Sequence, residues 1–170
     1  MKKVSIIISL IAIFTVVSVT VNAQVTATAT ATGTIVTPIA ITNSGDMNFG
    51  NVAVSATGGT VILAPAGTRT ITGGVTLPAI PGTVTAAHFA ITGTADYTYS
   101  ITLPSTATTV TSSANTMTVT AFTSNPGTTG TLSSAGTQTV DVGATLNVAA
   151  GQAAGVYVSG TPFDVTVNYN

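Results

Sequence analysis

Two stretches of this chain alternate so strictly that they allow one backbone reading. Residues 25–32, VTATATAT, put Val25, Ala27, Ala29 and Ala31 on one face and Thr26, Thr28, Thr30 and Thr32 on the other. Residues 163–169, FDVTVNY, put Phe163, Val165, Val167 and Tyr169 opposite Asp164, Thr166 and Asn168. A period of two is that of a β-strand, since a helix would scatter the same residues around its circumference. Between these stretches no window repeats apolar residues at i, i+3, i+4 and i+7 among strong helix formers. Glu is absent, and Thr makes up roughly a fifth of the chain. Together with Val and Ile it gives a composition that suits a pleated, half-buried surface.

Further strand-sized runs lie at 34–42, 60–64, 68–76, 85–93, 96–103, 115–122, 137–148 and 155–158. Turn residues punctuate them: Asn43-Ser44-Gly45, Gly58-Gly59, Pro65-Ala66-Gly67, Gly73-Gly74, Pro81-Gly82, Asn125-Pro126-Gly127 and Ser159-Gly160. Residues 104–114, PSTATTVTSSA, are low in complexity and read as a mobile loop. The expected fold is all-β: a single immunoglobulin-like β-sandwich of about eight to ten mostly antiparallel strands. The expected core is Phe49, Val61, Leu63, Ile71, Val75, Leu77, Phe89, Ile91, Ile101, Leu103, Val119, Leu146, Val148, Phe163, Val165 and Val167. Each is apolar at period two within a strand-like run.

The N-terminus reads differently. Lys2 and Lys3 precede a long apolar run, which ends at Val21-Asn22-Ala23. A charged start, an apolar stretch and a small-x-small end make a secretory signal peptide over 1–23. Residues 24–170 are then one exported domain with an extended N-terminal strand at 24–32. The expected destination is the periplasm, cell surface or extracellular space, with no membrane segment in the mature form.

Charge excludes several functions. The 170 residues carry three Lys+Arg and four Asp, with a formal net charge of −1. After removal of the leader, Arg69 is the one remaining cation, so a row of phosphates cannot be neutralised and nucleic acid is not a partner. The absence of Cys excludes a disulfide framework, a thiolate zinc site and an iron–sulfur cluster.

The residues able to do chemistry are few and scattered. His88 is the sole histidine and sits in a strand-like run, where a neighbour satisfies it. Asp46, Asp96, Asp141 and Asp164 stand apart, with no calcium-loop spacing, and a chain without Glu offers little for paired-carboxylate hydrolysis. Gly58-Gly59 and Gly73-Gly74 precede neither Lys nor a helical pattern, so they are not phosphate cradles. Arg69 reads as a residue that makes an ion pair or hydrogen bonds to loop carbonyls. Tyr97 and Tyr99 share a face. No catalytic, cofactor-binding or metal-binding residues are assigned, no cofactor is expected, and the protein is read as not an enzyme.

Three segments together carry a resemblance: 46–50, DMNFG; 65–77, PAGTRTITGGVTL; and 143–169, GATLNVAAGQAAGVYVSGTPFDVTVNY. The set resembles domain-of-unknown-function family 4402, secreted bacterial proteins without an assigned activity. The closing block, with Tyr169 penultimate, is also similar to the end of spore-coat-protein-U-like and chaperone–usher pilus subunits. That second resemblance implies a sandwich short of one strand. A periplasmic chaperone fills the gap first, and the next subunit's N-terminal extension then replaces it. Residues 24–32 are placed to be such an extension.

Two functional expectations follow. One is a non-enzymatic structural subunit of a surface fibre or coat, assembled by strand exchange, with self-association or a periplasmic chaperone as partner. The other is a monomeric secreted or cell-surface binding module of the same fold. Ice binding would need the Thr-x-Thr rows of 26–32 to recur at a fixed period, and they do not.

Overall fold

A computed structural model describes residues 23–170. Apart from Ala23, the signal peptide expected over 1–23 lies outside the described residues. Two units are distinguished, divided between Thr34 and Ile35. In the first, the described residues 23–34 belong to no strand and are exposed throughout. The strand expected at 25–32 therefore does not form within this single chain.

The second unit, Ile35–Asn170, is all-β. Its strands are β1 (Ala40–Gly45), β2 (Ala53–Leu63), β3 (Arg69–Thr76), β4 (Ala87–Thr92), β5 (Thr98–Thr102), β6 (Thr108–Ser112), β7 (Asn115–Asn125), β8 (Thr129–Thr131), β9 (Thr137–Val148), β10 (Val158–Ser159) and β11 (Thr166–Tyr169). Eight of them form one antiparallel sheet, and β11-β5-β8 form a second.

The large sheet is organised by β9, whose twelve residues match the expected run 137–148. Val140, Val142, Ala144, Leu146 and Val148 are all buried, the pattern the alternation requires. One edge of β9 pairs with β7. The other edge serves two strands end to end: β4 along Thr137–Val142 and β2 along Ala144–Val148. Gly143 marks the junction. A side chain there would run into the Leu63 carbonyl oxygen, so only glycine lets the two strands meet.

Each half of β9 has its own core. Around Val140 and Val142, with Ile91 on the neighbouring β4, the inner face meets the small sheet through Tyr99, Ile101 and Val167 and through Leu132 just past β8. This is the sandwich proper. Around Ala144, Leu146 and Val148, the packing partners are Val61, Val75 and Val119, with Phe49, Val52 and Met117 against them. Met47 and Phe122 touch both clusters.

Several expectations are corrected. Residues 108–112 form β6 rather than a loop, because Val110 turns inward among its threonines and Asn115–Val119 pairs alongside. β8 was not expected. The run 34–42 is ordered as strand only from Ala40, and 155–158 contributes only the two-residue β10. Ile71 is 38 % exposed, because β3 is an edge strand with no neighbour to cover that side chain. Phe49, Phe89, Phe122 and Phe163 are half-buried and brace the clusters from their margins.

Candidate functional site

The polar residues resolve into three arrangements. In the first, His88 on β4 lies directly across from Asp141 on β9, and Nδ1 meets Asp141 Oδ1 at 2.6 Å. Both side chains keep solvent contact. Ser44 donates to the His88 backbone carbonyl at 3.1 Å and not to the ring. The ring has no other hydrogen-bonding side chain among the described residues, so no nucleophile stands in line with it. The arrangement is a cross-strand polar pair that joins two central strands. Asp46 accepts from Asn43 at 2.7 Å across a turn, as its sequence position suggests. Asp96 occupies a left-handed turn before β5, with φ 63°. No group of three metal-ligating side chains occurs among the described residues.

The second arrangement explains why DMNFG and TRTITGGVTL stand out in the sequence. Arg69, at the start of β3, donates from one guanidinium nitrogen to the carbonyls of Phe49 and Asn51, at 2.5 and 3.0 Å. Between them, Gly50 takes φ +67° and approaches the Pro81 carbonyl more closely than a side chain would permit. The Asn48 side chain accepts from the Gly50 N–H at 2.8 Å, and Asn51 N–H donates to Pro81 at 2.6 Å. One cation thus closes the loop over the second core, in one of the two roles its sequence context suggested. Nearby, Gly73 and Gly74 press against the backbone of Gly58 and Thr57, so this pair is a packing device and not a ligand cradle.

The third arrangement gathers at the C-terminus. β11 pairs with β5 in continuous register, Thr166 with Thr102 through Tyr169 with Tyr99. Tyr99 is fully buried and donates to Gln138 Oε1 at 2.6 Å, and burial pushes its phenol above the ordinary range. Tyr97, two residues away on the same face, stays exposed and packs edge-on against Tyr169, with ring centroids 5.5 Å apart. The Tyr169 hydroxyl accepts from the Thr94 N–H at 2.6 Å and donates to the Thr37 carbonyl at 2.9 Å. The penultimate residue therefore fastens the chain segment that leads into β1. Beside the start of β11 runs an open groove of about 670 Å³. Leu103, Pro104, Pro162 and Phe163 give it apolar surface, threonines supply most of the rest, and Asp164 is the one charge in its lining.

With this body defined, one comparison decides kinship. A family model described as a domain of unknown function, DUF4402, matches residues 39–169. The chain belongs to the DUF4402 family. The match begins at the Ile39 that packs into the first core and ends at Tyr169. It contains all three arrangements and leaves residues 24–32 outside it. No curated protein and no solved structure matches this DUF4402 chain.

Sequence reasoning placed His88 in a satisfied strand position, which Asp141 fulfils, and left Arg69 either an ion pair or loop carbonyls, of which the structure gives the carbonyls. It did not bring Asp141 to His88, because pairing of β4 with β9 spans 53 residues and leaves no local signal. It also missed the Tyr169 latch, although the penultimate tyrosine was visible.

Proposed function

We propose that this protein is a non-enzymatic, exported structural subunit of a surface assembly, joined copy to copy through residues 24–32. The observation that carries the reading is the state of that segment. It keeps strict two-residue alternation, yet among the described residues it belongs to no strand, and Val25 is 93 % exposed. An alternating segment left unpaired is a strand in search of a sheet edge. Near-neutral charge favours association over mutual repulsion. Export through residues 1–23 follows from the leader pattern and sends the protein to the periplasm, cell surface or exterior.

The test is the mass of the purified protein beginning at Gln24, by size-exclusion chromatography and negative-stain imaging. Assemblies are expected from the intact protein, and monomers from a variant lacking residues 24–32. A clean monomer at high concentration would favour the second reading, a monomeric surface binding module. The groove beside Leu103 and Phe163 is the observation that supports that alternative. N-terminal sequencing of the exported form is expected to start at Gln24, and an intact Met1 would overturn the export reading.

A further inference from the structure

The chain has three glutamines, and two of them are held in the body. Gln138 Oε1 accepts from the buried Tyr99 hydroxyl. Gln152 Nε2 donates to the Thr116 carbonyl and to the Tyr157 hydroxyl. Gln24 is the third. It is exposed, belongs to no strand, and lies outside the Ile35–Asn170 body. It also directly follows Ala23, the last residue of the expected leader. Removal of that leader makes Gln24 the first residue, and its α-amine and side-chain amide then share one free end.

Resting on the export reading above, we propose that Gln24 closes on itself to a pyroglutamyl residue. The lone pair of the uncharged α-amine attacks Cδ of the side-chain amide. A bond from the amine nitrogen to Cδ forms, and the bond from Cδ to Nε2 breaks. Nε2 leaves as ammonia, taking the proton that the amine sheds. The product is a neutral five-membered lactam, and no oxidant, reductant or second substrate is consumed. Both groups belong to one residue, so the step is intramolecular and has the advantage of proximity. An α-amine has an ordinary pKa of about 7.7–8.0, so roughly a tenth of it is uncharged and reactive at pH 7. The side chain must fold back over the amine, and an exposed end outside any ladder leaves that rotation open.

Charge gives this closure a consequence. With Lys2 and Lys3 removed in the leader, the mature chain keeps two cationic groups, the Arg69 guanidinium and the new α-ammonium. Arg69 is committed to the carbonyls of Phe49 and Asn51. The ammonium stands next to Val25, the largest side chain on the apolar face of residues 24–32. Seating Val25 against a neighbouring copy would strip water from that charge, which is costly without a partner. The lactam carries no charge. Cyclisation therefore gives the segment an end as neutral as the rest of it.

Residues 24–170 contain no Lys, so the α-amine is the sole primary amine of the mature chain and can be labelled selectively. Freshly harvested exported protein is treated with an amine-acylating reagent, and its intact mass and N-terminal peptide are read by mass spectrometry. The expected peptide starts at residue 24, is lighter than open Gln24 by one ammonia, and carries no acyl group. Gln24→Asn keeps the amide on a side chain one methylene shorter, which would have to close a strained four-membered ring. That variant is expected to take one acyl group. A native peptide at full mass with one acyl group overturns the closure while the export reading stands. A chain that begins anywhere else overturns both. In size exclusion at pH 7, Gln24→Asn is expected to need a several-fold higher concentration than the native protein to assemble. The gap should narrow above about pH 8, where its amine loses charge. Equal thresholds overturn the link between closure and assembly, and absence of assemblies from both proteins overturns that link and the subunit reading together.

Discussion

The two alternating segments, 25–32 and 163–169, have the same period and opposite fates. The C-terminal one places Val167 in the core, Phe163 and Val165 against its margin, and Tyr169 under a pair of hydrogen bonds. The N-terminal one enters no strand. The difference lies in the size of the side chains. Burial of a Val, Leu or Phe side chain contributes about 1.5–3 kcal/mol, whereas an alanine methyl contributes about 0.8 kcal/mol. Fixing the backbone costs about 1–2 kcal/mol per residue. Alternation tells which face would be buried. The volume on that face decides whether a strand joins its own sheet or waits for additional contacts.

The sharpest way to break the comparison is to delete each segment in turn. Loss of residues 163–170 uncovers Tyr99 and Ile101, and is expected to abolish cooperative unfolding in a circular-dichroism melt. Loss of 24–32 is expected to leave the melting temperature of the body unchanged. Equal destabilisation by both deletions would mean that the N-terminal segment packs on its own body after all.

Single substitutions give smaller effects in the same direction. Leu132→Ala removes a fully buried side chain from the core that β11 covers, at an expected cost of about 2–5 kcal/mol in denaturant unfolding. Val25→Ala is expected to have no measurable effect on the same curve.

Tyr99 offers a pH test. Burial raises its folded-state pKa above 10.0, so the neutral phenol is the form the fold prefers. Its contribution to stability is fully present below the unfolded value and is lost as pH rises through the folded one. Stability is therefore expected to fall as pH climbs above about 10. Tyr99→Phe should flatten that slope, at a cost below it of about 1–3 kcal/mol for the Gln138 partner left behind.

Tyr169→Phe removes one hydroxyl shared by Thr94 and Thr37 and is expected to cost about 0.5–1.5 kcal/mol. Smallest on the monomer is Ala29→Val, which gives the N-terminal segment some of the volume it lacks. It should leave the monomer's melting temperature alone and change only the concentration at which assemblies appear.

Much of the sandwich was legible because its signal is local. Residues 137–148 carry their alternation in plain view, and Val61, Leu63, Val75 and Ile91 follow from it. Residues 104–114 misled because β6 is mostly threonine, and its strand character comes from pairing with β7 rather than from apolar content. Tyr99, Leu132, Val140 and Val142 were left out of the expected core although they are among its most buried side chains. Their burial depends on the small sheet lying over β9, a placement no short window encodes.

The Tyr169 latch has a mechanical side. The Thr37 carbonyl is held twice, by the Tyr169 hydroxyl and by the Thr94 side chain at 3.2 Å, and it lies just ahead of β1. Tension applied to the chain ahead of this point meets those two bonds before it reaches the β1–β4 ladder or the core behind it. The last strand thus secures the first, and a pull at the N-terminal side is borne by the C-terminal end of the same molecule.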